Sequence, residues 1–117
     1  MSDCIFCKIA TKEIGSAIIY ENDILVCFHD IHPAAPVHVL LVPKEHYADI
    51  LALNKDLVGR NVVMDAIMDA IAVIAEQTGI DQSGFRLINN CGFDGGQTVP
   101  HLHFHLIGGK KLKETLE

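Results

Sequence analysis

His101-Leu102-His103-Phe104-His105-Leu106-Ile107 alternates imidazole and apolar side chains without a break. Alternation with period two is the pattern of a β-strand that buries one face. Side chains two residues apart then share a face at ~6.5–7 Å spacing, so three imidazoles project together while Leu102, Phe104 and Leu106 enter the core. A merely solvated strand face is built from Lys, Glu and Thr. Three titratable rings in a row lose entropy and gain nothing unless they work together, so this face is where chemistry is expected.

Just upstream runs Asn89-Asn90-Cys91-Gly92-Phe93-Asp94-Gly95-Gly96-Gln97-Thr98-Val99-Pro100. A glycine pair alone marks only a turn. Beside the histidine run, Gly95-Gly96 can present main-chain amides to an anion, with Gln97 and Thr98 adding side-chain donors, so the loop reads as a phosphate site. Four further runs, at 17–20, 24–28, 38–42 and 85–89, are short, rich in β-branched or aromatic residues, and bounded by Asn, Asp, Gly or Pro. With 102–107 they make five strands. Asn22-Asp23 reads as a two-residue hairpin turn, and the Pro33 to Pro36 stretch forces a loop.

Two segments have helical period. After Pro43, His46, Ile50 and Leu53 recur at four and three residues and suit a short helix. The long one spans 56–78 and is ended by Gly79, with Val63, Ile67, Ala70, Ile71 and Ile74 on one face. Its polar stripe is only Asn61, Asp65, Asp69 and Glu76, which leaves Met64, Met68, Ala72 and Ala75 without polar company. Ala and Met tolerate partial exposure; the sharper expectation is a homodimer whose second subunit covers that face.

The chain has 117 residues, half of them apolar and 21% charged, enough for a packed core in one domain spanning 1–117. Its last eight residues, 110–117, are mostly charged or polar and read as a loosely held tail. A net charge of −6 argues against nucleic-acid polymers as partners, although amides and neutral donors can still hold one nucleotide. Met1-Ser2-Asp3 opens no leader pattern, and the longest apolar run, 70–75, is far short of the ~18–20 residues a membrane span needs. No membrane association and a cytoplasmic, reducing location are expected. There Cys4, Cys7, Cys27 and Cys91 are ligands or buried thiols rather than disulfides. Cys4-Ile5-Phe6-Cys7 reads as half of a zinc site or as a redox pair.

His101-Leu102-His103-Phe104-His105-Leu106-Ile107 fits the His-x-His-x-His-x-x signature, with x apolar, and on it the chain resembles the histidine triad (HIT) family, most of all its nucleotide-binding branch. The likeness extends through Asp3-Cys4-Ile5-Phe6-Cys7-Lys8-Ile9, Phe28-His29-Asp30-Ile31, Pro36-Val37-His38-Val39-Leu40-Leu41-Val42-Pro43-Lys44-Glu45-His46 and Gly95-Gly96-Gln97-Thr98. It implies an α+β fold with a central antiparallel sheet of about five strands, one long and one short helix, and a homodimer joined partly through the long helix.

The resemblance also implies hydrolysis of nucleoside 5′-phosphoramidates or related nucleotide conjugates at the α-phosphate, through a nucleotidyl-histidine, with AMP or GMP released. By position His103 is the nucleophile, flanked by His101, His105 and His38. Gly96, Gln97 and Thr98 fall at the phosphate, Asn90 is a further polar contact, and Asp30 accepts from the ribose hydroxyls. Phe6, Ile9, Phe28 and Ile31 would line a slot for a purine base. Cys4, Cys7, His46 and His101 would hold a structural Zn2+. Pro100, where relatives often carry an aromatic residue, and a tail without Trp leave the leaving group open. A dinucleoside polyphosphate hydrolase, a nucleotidyltransferase and a non-enzymatic nucleotide-binding scaffold are the alternatives.

Overall fold

The computed structural model describes residues 4–115; Met1-Ser2-Asp3 and the last two residues of the tail lie outside it. Five strands form one antiparallel sheet in the order β1-β2-β3-β5-β4, with β1 at Ile18–Glu21, β2 at Leu25–His29, β3 at Val37–Pro43, β4 at Phe85–Ile88 and β5 at Phe104–Gly108. The expected α+β architecture is present. The β1–β2 turn lies one residue later than Asn22-Asp23 suggested. Asn22 Oδ1 accepts from the amides of Ile24 and Leu25, each at 2.8 Å, which closes the turn over Asp23-Ile24.

Strand alternation sorts the side chains onto two faces. Leu25, Cys27, Val39, Leu41, Phe104 and Leu106 pack against the long helix α3, Gly59–Thr78, through Val63, Ile67, Ala70 and Ile74. Asp56, where helical periodicity begins, stands just outside α3: its Oδ1 accepts from the Gly59 amide at 2.9 Å and its Oδ2 from the Tyr47 hydroxyl at 2.8 Å. A Cβ at residue 59 would collide with that carboxylate, so the helix opens on glycine. Gly79, at φ 80°, closes it in the left-handed conformation that a side chain disfavours. Ala75, expected on the second apolar face, is instead buried within this subunit's own core. Met64, Met68 and Ala72 remain exposed, Met68 to 68%.

Three further elements depart from the sequence reading. Helix α2 is Ile50–Asn54, so His46 sits in the preceding loop rather than in a helical turn. The one-turn helix α4, Ile80–Ser83, links α3 to β4. Helix α1, Ile5–Ala10, was not legible as a helix, because six residues give too little periodicity. It lies on the opposite face of the sheet from α3, with Phe6 and Ile9 packed on Val26, Phe28, Leu40 and Val42. Among the described residues of the tail, the Lys113 carbonyl accepts from Arg86 at 2.7 Å.

Candidate active site

β3 and β5 are neighbours at the centre of the sheet, and their register sets Leu40 opposite His105 and His38 opposite Ile107. His38 and His105 are therefore diagonal neighbours on the α1 face, within side-chain reach. His38 Nε2 lies 2.9 Å from His105 Nδ1, and His103 follows at 5.2 Å between ring centroids. His103 Nδ1 is 2.8 Å from the His101 carbonyl oxygen. A carbonyl can only accept, so Nδ1 carries a proton, and in the neutral ring the lone pair is on Nε2. The carbonyl of His103 in turn accepts from Asn89 Nδ2 at 3.0 Å, and the Phe6 ring sits edge-on to its imidazole at 5.0 Å.

β5 begins at Phe104, not at Leu102, because the chain before it turns its polar groups elsewhere. The Leu102 amide donates to the Tyr47 carbonyl at 2.7 Å, and His101 Nε2 donates to the Pro43 carbonyl at 2.8 Å. His101 is wholly buried and parts company with the other two imidazoles. All three rings lie on the α1 side of the sheet, where Phe6 packs edge-on against both His101 and His103, but only His103 and His105 line the cleft, with His38 of β3 behind His105.

Burial, the neighbouring imidazoles of His103 and His38, and only partial relief from Asp30 push His105 down to about 4. Burial likewise lowers His38, against an upward pull from Asp30, whose Oδ2 is 3.4 Å from Nε2. Protonating His105 therefore costs more in the fold than in the unfolded chain, where its value is 6.5. The stability that this neutral ring contributes is full above pH 6.5 and is lost as pH falls through that value toward about 4. Thermal melts at about pH 7.5 and about pH 5 should give a lower Tm at the acid end, and the difference should shrink in His105→Gln.

A cleft of about 410 Å³ opens between α1, the start of β1 and the histidines. Phe6, Ile9, Phe28, Asp30, Ile31, Thr98, His103 and His105 all line it. Ile5, Ile14, Leu40 and Val99 complete its apolar wall and were missed. Leu40 was findable, since it alternates with His38 along β3; the others depend on how α1 and the loops close over the sheet. Asp30 Oδ1 accepts from the His32 amide at 2.8 Å, which fixes the carboxylate at the cleft.

Three residues placed at the phosphate or beside it do not line the cleft. Gln97 ties its own loop: Oε1 accepts from the Gly92 amide at 2.9 Å, and Nε2 donates to the carbonyls of Ala48 and Val99. Asn90 Nδ2 donates to the Gly95 carbonyl at 2.8 Å. The Gly96 amide donates to the Phe93 carbonyl at 3.0 Å, so it is not offered to an anion. The segment is tight enough that a Cβ on Gly95 would strike the Cys91 backbone.

Behind the histidines, Cys4, Cys7, His46 and His101 bring four ligand atoms within 4.8 Å of one another. Cys4 Sγ is 3.2 Å from His101 Nδ1, and Cys7 Sγ is 3.5 Å from the same nitrogen and 3.3 Å from His46 Nδ1. Around a four-coordinate ion bound by two thiolates and two imidazoles, S···N edges of about 3.5 Å are expected. The Pro43 carbonyl holds the His101 proton on Nε2, so the nitrogen facing the thiols bears the lone pair that a metal needs. The four residues can hold a metal ion. Without one, burial and the adjacent Cys4 push the Cys7 thiol up to about 11. Cys27, pushed up to about 12 by burial, is an inert core thiol.

An antiparallel sheet with an apolar cleft on one face, a freed imidazole nitrogen in that cleft and helices on both sides defines an α+β domain built around a histidine cluster. The chain matches the HIT domain over residues 11–112 and belongs to that family. It is 41% identical over 113 residues to the purine nucleoside phosphoramidase of Escherichia coli K12, covering 94% of this chain and 90% of that one. Among solved structures, a histidine triad protein from Clostridium difficile superposes with a TM-score of 0.91 at 47% identity, covering 98% of this chain and 97% of that one. A HIT family hydrolase from Clostridium thermocellum gives 0.92 at 43%, covering 100% and 99%.

Proposed function

We propose that the protein hydrolyses purine nucleoside 5′-phosphoramidates, or related nucleotide conjugates, at the α-phosphate. The observation that carries this reading is the 2.8 Å hydrogen bond from His103 Nδ1 to the His101 carbonyl, which in the neutral ring puts the lone pair on Nε2. Nε2 attacks the α-phosphorus, the P–N bond breaks and the amine departs. Water then attacks phosphorus, the P–Nε2 bond breaks, and AMP or GMP leaves with His103 restored. Phe6, Ile9, Phe28 and Ile31 offer an apolar slot that takes a purine without reading its edges. Asp30 accepts from the ribose, Thr98 meets the phosphate, His105 and His38 flank it, and Asn90, Gly96 and Gln97 shape the loop behind. The phosphoramidase named among its relatives supports this substrate class.

Turnover of adenosine and guanosine phosphoramidates, dinucleoside polyphosphates and nucleotide-sugars by purified protein ranks the substrates directly. Mass spectrometry of the quenched enzyme should find a nucleotidyl group on His103. Faster turnover of polyphosphates, or no covalent species, would overturn the assignment.

Zn2+ is the ion that suits Cys4, Cys7, His46 and His101, and with four protein ligands it serves as a structural closure of the fold. The chain acts as one domain, 1–117, in the cytoplasm, where thiols stay reduced. No helix among the described residues is long and apolar enough to cross a membrane. A homodimer covers the exposed Met64, Met68 and Ala72 face of α3. Met68→Glu would place two carboxylates near a two-fold axis, and a moderate interface does not survive that cost. Light scattering should report about twice the 12.8 kDa chain mass for the wild type and about the chain mass for the variant. A wild-type monomer would refute the dimer.

A further inference from the structure

Two asparagines stand together just past the end of β4, and their side chains are spent differently. Asn90 closes its own loop on the Gly95 carbonyl, whereas Asn89 crosses to the chain entering β5 and donates to the carbonyl of His103. We propose that Asn89 is a positioning residue for the nucleophile: its side-chain amide stands in for a rung of the sheet and fixes the main chain that carries the His103 ring. The role rests on the nucleotidyl transfer proposed above.

The need for such a rung follows from where the sheet stops. The β4–β5 ladder ends at the pair Ile88 and His105, and the β3–β5 ladder ends at Leu41 and Phe104. His103 therefore lies past the last pair on both sides. Upstream of it the chain is held by groups outside the sheet, with the His101 amide donating to the Val99 carbonyl at 2.8 Å and the Leu102 amide to the Tyr47 carbonyl at 2.7 Å. His103 is buried, and a buried carbonyl left without a donor is costly. Asn89 Nδ2, at 3.0 Å, supplies one from the strand that has just ended. A carbonyl can only accept, so the side-chain amide is turned with its nitrogen toward His103. Asn89 directly follows the paired Ile88, so the sheet itself holds the donor in place.

Three contacts then fix the nucleophile, and they divide the task. The His101 carbonyl holds Nδ1 at 2.8 Å and the Phe6 edge packs on the ring at 5.0 Å, which sets how the imidazole is turned. The His101 carbonyl, two residues away on the same segment, moves with His103 and cannot set where that segment lies. Asn89 ties the segment to β4 and so sets its place. Attack on phosphorus is sensitive to that place, since about 1 Å of misplacement costs about a hundredfold in rate. Ground-state binding is not, because Phe6, Ile9, Phe28 and Ile31 line the cleft and Asn89 does not. Removing the Asn89 amide therefore costs kcat and spares affinity.

Asn89→Leu keeps the volume and removes the donor. On an adenosine phosphoramidate its kcat should fall between about ten- and about a hundredfold, while the Kd of AMP changes by no more than about twofold and the variant stays folded at the assay temperature. Carbon-13 NMR of the full-length protein reads the bond itself, since the His103 carbonyl resonance moves upfield when its donor is lost. Asn89→Gln retains an amide, and its kcat should follow that resonance: near the wild type where the shift is kept, near the Leu variant where it is not. Asn89→Asp, which keeps the shape and at about pH 7 can only accept, repeats the test if Leu does not fold. A Leu or Asp variant within about twofold of the wild-type kcat, a loss of AMP affinity as large as the loss of kcat, or a Gln variant that keeps the shift and is as slow as Leu would overturn the role. A wild type that turns over no phosphoramidate would instead overturn the functional reading, and the role with it.

Discussion

His103→Ala should lower the single-turnover rate on a nucleoside phosphoramidate by at least about four orders of magnitude, with nucleoside monophosphate affinity changed by no more than about tenfold. The asymmetry follows from where the side chain sits. In the proposed reading, binding is distributed over Phe6, Ile9, Phe28, Ile31 and Asp30, all of which line the cleft. The covalent step depends on one nitrogen whose partner nitrogen is held by the His101 carbonyl. Neither of the imidazoles packed beside it can replace it. His105 has its lone pair occupied by His38, and His38 divides its two nitrogens between Ala34 and His105. Calorimetry with AMP checks the binding half and quench-flow the chemical half. A variant that turns over at near wild-type rates would sink the mechanism, whereas one that also loses AMP would place His103 in ground-state recognition.

Replacing Cys4 and Cys7 together with Ser should abolish stoichiometric zinc and lower Tm by about 15 °C. A metal present at a thousand times its dissociation constant stabilises by about 4 kcal/mol, and a domain of this size loses about 4 °C per kcal/mol. The damage should not stay at the metal site. Phe6 lies between the two cysteines on α1, and its ring packs on Phe28, His101 and His103 at centroid distances of 5.7, 5.7 and 5.0 Å. Loosening α1 shifts a wall of the cleft, so AMP affinity should fall in the double variant as well. A chelator applied to the wild type should reproduce both effects, and added zinc should reverse them only in the wild type. Elemental analysis that finds no zinc in freshly purified, reduced protein would contradict the assignment, and so would an unchanged melting curve.

Chain-local patterns carried a large part of this molecule. The alternation from His101 to Ile107 placed Leu102, Phe104 and Leu106 in the core, the apolar period after Asp56 marked the helix that covers them, and Gly79 ended it. Period and turn chemistry are properties of neighbouring residues, so they survive without knowledge of the fold. The four residues Cys4, Cys7, His46 and His101 were also grouped beforehand, through likeness to a family rather than through spacing. What tertiary structure alone decided is the division of labour among the histidines. His101 belongs to the triad by sequence, yet its ring turns to the cysteines, and only its carbonyl serves His103. That choice is made by Pro43 and Tyr47, more than 50 residues away along the chain, whose carbonyls take up the donors of His101 and Leu102. The tautomers of His38 and His105 likewise descend from the Ala34 amide, a backbone donor that no side chain announces: it donates to His38 Nδ1 and leaves the neutral ring's proton on Nε2, facing His105. Gln97 and Gly96, donors by type, are consumed within their own loop, and Ala75 is drawn into the core by the rotation of α3 on the sheet. Residue type says what a group can donate or accept; which partner reaches it first is settled only by packing, because unmade hydrogen bonds in a buried site cost too much to leave open.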